Sequence, residues 1–334
     1  MAQFCVKAGF LFAVLLCYGC GTTTVVTPPP LKEKETIIVQ KEVKYSITSE
    51  SENLTALTKI TDGSDICTMP YGGDNGHSLF YLKWSSIGNS TYSNIFKKDN
   101  PLANAASEKT SGNNKNSHPS YCEKIDKIVF RYQPSGSSSS DIFMMSASVG
   151  KALTQITDTP GEWEDNPSFS PDGRYIAYDK SSSGINRKDS EIWIKNRETG
   201  ENTLLGNGAQ PSFSPDGKSI AYIKYAGNDA YVFTMTIDGE NQIQITDANK
   251  GYAQNPQWSP NGKFLIFSAR KNGKNADLFV IRTDGEHLTQ LTTNESTDKQ
   301  PYWSKDGYIY FTSDRGGLEK LFQIWRFKIN PEEF

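Results

Sequence analysis

The side chains of this chain that could bind or react are few, and one set of them is regularly placed. His77, His118 and His287 stand apart, and nothing has the spacing of a zinc site. There is no Gly-x-Ser-x-Gly nucleophile elbow and no Gly-rich phosphate loop, and Gly72-Gly73 and Gly316-Gly317 read as turns. The Asp-Gly dipeptides lack the spaced acidic ligands of a calcium loop. No catalytic residue, metal or cofactor is expected on these grounds. The regular set consists of the residues that stand directly before a proline: Met69, His118, Asn166, Gln210, Asn255 and Gln300. All but Met69 both donate and accept hydrogen bonds. Asp65, Trp163, Glu164, Asp165, Tyr252 and Asp298 lie just upstream, and Trp163, flanked by Glu162 and Glu164, reads as the most exposed aromatic.

A repeat sets these positions. The prolines are Pro70, Pro119, Pro167, Pro211, Pro256 and Pro301, spaced 49, 48, 44, 45 and 45 residues apart. Three copies carry the run Pro-x-[Phe/Trp]-Ser-Pro-[Asp/Asn]-Gly, starting at Pro167, Pro211 and Pro256. Its Pro presets φ for a tight turn and its Gly takes positive φ, so each copy reads as strand, turn, strand. A third apolar segment follows, as in Ile192-Trp193-Ile194, then a fourth such as Leu288-Thr289-Gln290-Leu291-Thr292. Asn100 to Ser117 and Ser135 to Ser140 read as long polar loops in the first two copies. A unit this small cannot bury its own apolar face, so the copies must stack. Four antiparallel strands per unit, six times over, predict an all-β, six-bladed β-propeller. Leu57-Thr58-Lys59-Ile60-Thr61 matches the fourth strand but precedes the first copy, and the last copy ends after its third strand. The N-terminal strand is therefore expected to complete the C-terminal blade and close the ring.

Innermost strands line a propeller's channel, which puts the residues before each Pro around one mouth. Two readings stay open there. His118, Trp163, Asp165, Asn166, Gln210, Asn255 and Gln300 receive a peptide terminus or small polar ligand, or they cap local backbone and order channel water. Tyr121, Phe169, Phe213, Trp258 and Trp303 share one strand position and read as packing between blades.

The N-terminus reads as an address. Lys7 precedes an apolar run, Ala8 to Leu16, too short to span a bilayer. Leu16-Cys17-Tyr18-Gly19-Cys20 resembles a bacterial lipoprotein signal, although Cys17 and Tyr18 depart from its usual residues. That divides the chain into a signal peptide over 1–19, lipidated Cys20 with a tether over 20–52, and the propeller over 53–334. An ordinary signal peptide cleaved nearby is the alternative. A net charge of −3 with interspersed signs offers no field for nucleic acid. In an exported chain, the two cysteines of the body invite a Cys67–Cys122 disulfide worth about 4 kcal/mol. Separate, partly buried thiols are the alternative.

With these motifs assembled, the body from about Asn53 to Asn330 resembles the TolB-like β-propellers. The resemblance implies a periplasmic protein that works by binding other proteins. No counterpart of the N-terminal α/β domain of the family's namesake is expected here, so a role in the same envelope complex is not implied. The expectation is a monomeric, non-enzymatic module, anchored by lipid to the envelope membrane and most simply the outer one, with a protein or peptide partner. A polysaccharide lyase or hydrolase using the channel mouth is the alternative.

Overall fold

The computed structural model describes residues 55–73, 76–149, 152–184, 187–247, 252–270, 275–316 and 321–329, all within the larger of two units, Tyr45–Phe334. Cys20, the signal and the tether lie outside the described residues. Strand β1 (Thr55–Lys59) comes first. Next come β2 (Ile66–Gly73), β3 (Ser78–Ile87), β4 (Ser90–Lys98) and β5 (Ser107–Glu108), then β6 (Lys115–Cys122), β7 (Lys127–Gln133), β8 (Asp141–Ser146) and β9 (Thr154–Gln155). The third run is β10 (Trp163–Phe169), β11 (Tyr175–Ser181), β12 (Glu191–Asn196) and β13 (Asn202–Asn207), and the fourth β14 (Ala209–Phe213), β15 (Ser219–Ala226), β16 (Asp229–Thr236) and β17 (Ile243–Gln244). Then follow β18 (Tyr252–Trp258), β19 (Phe264–Arg270), β20 (Ala276–Arg282) and β21 (Thr289–Gln290), and last β22 (Asp298–Trp303), β23 (Tyr308–Ser313) and β24 (Gln323–Lys328).

Within each run neighbouring strands pair antiparallel. The first two runs share one sheet path only through a single parallel pair, Ser93 with Lys115. Strand β1 pairs with β24, so the last sheet has the order β1-β24-β23-β22.

The repeated turn explains the hairpins. Gly173 donates its N–H to Ser170 O at 2.8 Å and takes φ +74°, the left-handed residue such a hairpin needs. The Ser170 hydroxyl donates to Asp172 Oδ1 at 2.6 Å and accepts from Tyr175 N at 2.8 Å, which locks the turn to the next strand. Ser214 with Asp216 and Ser259 with Asn261 repeat the arrangement. In the exposed copy, the Ser214 hydroxyl and the Lys218 N–H hold the Asp216 carboxyl below its ordinary range.

A second device ties the outermost strand to its sheet. Ile156 donates its N–H to Ile142 O at 2.8 Å, and Ile142 donates its own to Thr157 Oγ1 at 2.8 Å. Ile245 and Thr246 do the same to Val232, and Leu291 and Thr292 to Leu278. Ile60 and Thr61, beside β1, make these two bonds to Ile324 at 2.8 and 2.9 Å. Lys109 and Thr110 make them to Ile95. That last clamp corrects the reading of Asn100 to Ser117 as loop. Ser107-Glu108 has no apolar residue to betray a strand, but it pairs with β4.

Apolar clusters form between consecutive sheets. Ile192 and Ile194 pack with Phe213 and Tyr222, and Val129 and Ile142 with Phe169 and Tyr178. Leu79 and Tyr81 of β3 pack with Tyr310 and Ile324 of the last sheet. Side chains of this size contribute roughly 1.5–3 kcal/mol each when fully buried.

The expected Cys67–Cys122 disulfide does not form; both thiols are free and buried. Cys67 lies in the cluster with Leu79 and Ile324, Cys122 in that with Val129 and Phe169. They also stand at opposite ends of equivalent strands, one before and one after the repeat proline. Six residues of extended chain are about 20 Å, whereas a bridge needs Cα atoms within about 7 Å. Burial pushes the Cys67 thiol up to about 11 and raises that of Cys122, which favours the neutral thiol in both.

If β1 serves the last sheet as the other outer strands serve theirs, Thr61→Val should cost about 1–3 kcal/mol by leaving the buried Ile324 N–H without an acceptor. Thr246→Val should cost a similar amount. Urea unfolding of both variants decides: a neutral Thr61→Val beside a destabilised Thr246→Val denies the equivalence.

Candidate functional site

Each first strand breaks register at the same place, as between Thr68 and Tyr71 in β2 or Asp165 and Ser168 in β10. The residue before the proline sits in that bulge. Met69, His118, Asn166, Gln210, Asn255 and Gln300 all have φ between 49° and 55°, the left-handed region. Proline lacks an N–H and is tolerated at a bulge, while a non-glycine residue held there costs of order 1–3 kcal/mol. Asn and His adopt it more readily than Met or Gln.

What offsets that cost is a belt of hydrogen bonds running from one first strand to the next. Met69 N donates to Thr312 Oγ1 at 3.0 Å, and Thr312 Oγ1 donates to Gln300 Oε1 at 2.9 Å. His118 N donates to Met69 Sδ at 3.4 Å, and His118 Nδ1 lies 2.6 Å from Asp165 Oδ1. Asn166 N donates to the same carboxylate oxygen, and Asn166 Nδ2 donates to Asp179 Oδ2 at 2.7 Å. Gln210 N donates to Asp179 Oδ2 at 2.7 Å, and Asn255 N to Gln210 Oε1 at 2.7 Å. Among the described residues no bond links the Asn255 side chain to Gln300, so the belt is open there.

All six belt residues and their prolines line one cavity of about 70 Å³. That is room for about two water molecules. Tyr71 and Tyr302, with centroids 4.5 Å apart, lie at its floor. Beyond them the space widens into a bowl of about 480 Å³ lined by Tyr121, Phe169, Phe213, Trp258 and Trp303 on the side of the repeated turns. Those aromatics pack between sheets, and they also wall this second cavity.

Charge is concentrated on one side of the belt. Asp165 is 1% exposed and bonds His118, the Arg187 guanidinium and, at 3.7 Å, Arg131 Nη1. Arg187 Nη1 reaches Asp179 Oδ1 at 3.5 Å. Burial opposes ionisation of Asp165, but the charges of His118, Arg187 and Arg131 outweigh it and hold the carboxyl well below its ordinary value. Asp179 goes the other way, pushed up to about 6 by burial and the Asp165 charge against the pull of Arg187. An ionised Asp165 can only accept, so the hydrogen of this contact sits on His118 Nδ1.

The structure thus brings His118, Asn166, Gln210, Asn255 and Gln300 to one cavity, with Asp165 bonded behind them. It does not leave the upstream residues as an open rim. Glu164, Asp165 and Asp298 are buried, the last paired with Arg315. Trp163 is half-buried, beneath the Arg131 guanidinium at 5.3 Å and against Gly184. Arg131, Asp179 and Thr312 went unforeseen. Each directly follows the repeat aromatic, at Phe130, Tyr178 and Phe311, a position whose side chains turn toward the belt. Arg187 comes from the loop between β11 and β12, and no repeat marks it.

A family model described as the TolB beta propeller domain matches residues 204–332. TolB from Acinetobacter baumannii is similar in structure, with a TM-score of 0.58 at 16% identity, over 77% of this chain and 65% of that one. Oligogalacturonate lyase from Vibrio parahaemolyticus gives a TM-score of 0.55 at 12% identity, over 85% of this chain and 96% of that one. An uncharacterized peptidase of Bacillus subtilis is 25% identical over 158 residues, 47% of this chain, which spans only 17% of that relative's length. The chain has a TolB-like propeller fold.

The two buried carboxylates give opposite pH signatures. Asp179 holds its proton more tightly folded than at its ordinary 3.8, so its contribution to stability is full below that value and lost as pH rises through about 6. The contribution of Asp165 is present above its ordinary 3.8 and lost as pH falls toward its lowered folded value. The stability difference between the wild type and Asp179→Asn should therefore shrink from about pH 4 to pH 6 and then level off. Urea unfolding across that range tests it; a flat difference refutes the assignment.

Proposed function

We propose, from the TolB-like propeller fold as premise, that this chain is a lipid-anchored, six-bladed propeller of a bacterial envelope that binds a protein or peptide at its belt-side mouth. The six-bladed, closed ring is supported by the clamp that Ile60 and Thr61 make on Ile324 and by the Leu79–Ile324 cluster. First-strand neighbours also run in sequence from β2 through β6, β10, β14 and β18 to β22 and back to β2. The anchor rests on the Gly19-Cys20 signal, and the outer membrane is the membrane this reading prefers.

The observation that carries the binding role is the opening in the belt. Elsewhere the belt side chains are occupied in holding the next strand. At the opening the Asn255 amide and the Gln300 Nε2 line the cavity, the Gln300 Oε1 being taken by Thr312, and a peptide backbone or terminus is their natural complement. A carbohydrate-active enzyme would be favoured if the His118 imidazole, positioned by Asp165, acted as a base toward a substrate at the mouth.

The variant Asn255→Gly removes the amide that the belt does not use and keeps a backbone suited to positive φ. Crosslinking in intact cells followed by pull-down should lose the partner band while the thermal melt is retained; an undiminished band rejects the reading. Mass spectrometry of the membrane fraction should find Cys20 acylated and N-terminal, and an unmodified soluble form would remove the anchor from the proposal.

A further inference from the structure

The belt-side mouth is built where first strands begin and second strands end: Trp163 pairs with Ser181, Tyr252 with Arg270, and Asp298 with Ser313. Two cations there lie on aromatic faces rather than on carboxylates. The Arg270 guanidinium is 5.5 Å from the Tyr252 centroid, and Lys299 Nζ is 3.7 Å from that of Phe322. They are also close enough to repel. Burial pulls the Lys299 ammonium below its ordinary value, the Asp314 charge opposes that, and the Arg270 charge adds to it by a smaller amount. Arg131 reaches the mouth from the second run of strands, over Trp163, and its contact with Asp165 at 3.7 Å is looser than that of Arg187. Like charges brought together on strand ends repel, and an incoming anion relieves the part of that repulsion that Asp314 and the shared Asp165 leave. Aromatic platforms hold the charged heads in place and lower the entropy cost of receiving it.

We infer that the belt-side mouth takes an acidic peptide segment, its carboxylates received by Arg270 and Lys299 on one side and by Arg131 on the other. The inference rests on the peptide-binding reading above and narrows it to one charge class. Peptide is favoured over acidic saccharide because the Asn255 amide and the Gln300 Nε2 beside the cations match backbone groups.

Fluorescence anisotropy with the full-length chain tests it. A labelled decapeptide of alternating Asp, Glu and Gly should bind at least tenfold tighter than its Asn/Gln counterpart, and its affinity should fall as salt rises from about 50 to 300 mM. Arg270→Gln/Lys299→Gln should weaken the acidic peptide about tenfold and leave the neutral one unchanged. Equal affinity for both peptides overturns the charge selectivity and leaves the peptide reading standing. Binding of neither removes both. Binding of an oligogalacturonate but not the acidic peptide, lost in the same double variant, keeps the cations as an anion site and refutes the peptide. If the double variant does not fold, the wild-type peptide pair and salt series decide alone.

Discussion

Six backbone positions in the left-handed region, each forced there by a bulge ahead of a proline, are the constraint on which this structure turns. A single residue so held is a modest liability, and six around one cavity would be a large one. The strain is tolerable because most of these residues find a side-chain partner for the N–H that the bulge takes out of its ladder, commonly on a neighbouring sheet. Backbone strain and sheet-to-sheet attachment are therefore one interaction. The bulge cannot be relieved in one sheet without loosening its hold on the next.

That coupling explains why charge appears where it does. Where Thr312 or Gln210 supplies the acceptor, neutral groups suffice. Between the second, third and fourth runs the acceptors are carboxylates, and two buried carboxylates so near each other cannot both be left uncompensated. Arg187 touches both, which reconciles the lowered pKa of Asp165 with the raised one of Asp179. The same arrangement fixes His118, whose Nδ1 is committed to Asp165 and whose other nitrogen is not.

Along its length the central space changes character from polar belt to tyrosine floor to aromatic bowl. The change follows one side chain per position along each first strand. Residues before the proline are mostly amides, those after it are small serines except at Tyr71, Gln257 and Tyr302, and those two after it are aromatic except at Gly72. At Gly72 a Cβ would collide with the Tyr302 ring. Glycine there lets Tyr302 lean beneath Tyr71 and close the floor.

Much of this was legible in the chain. Proline spacing, Ser-Pro-Asp-Gly turns and a displaced Leu-Thr-Lys-Ile-Thr strand are local, repeated features, and hydrophobic periodicity with turn chemistry is decided by neighbours in sequence. The composition of the belt could be read as well, since every member stands beside a proline ruler. What the tertiary structure alone decided is how those side chains are used. Asp165 looks like a rim residue in sequence and is buried, because the loop between β11 and β12, which no repeat marks, brings Arg187 onto it. Cys67 and Cys122 look like partners and face different cores, because equivalent strands set them at opposite ends. Strand β5 carries no apolar signal, since an outer strand needs only its backbone and Thr110 to be held. Periodicity records which face a residue takes. It holds no record of which distant charge, thiol or carbonyl will meet it there.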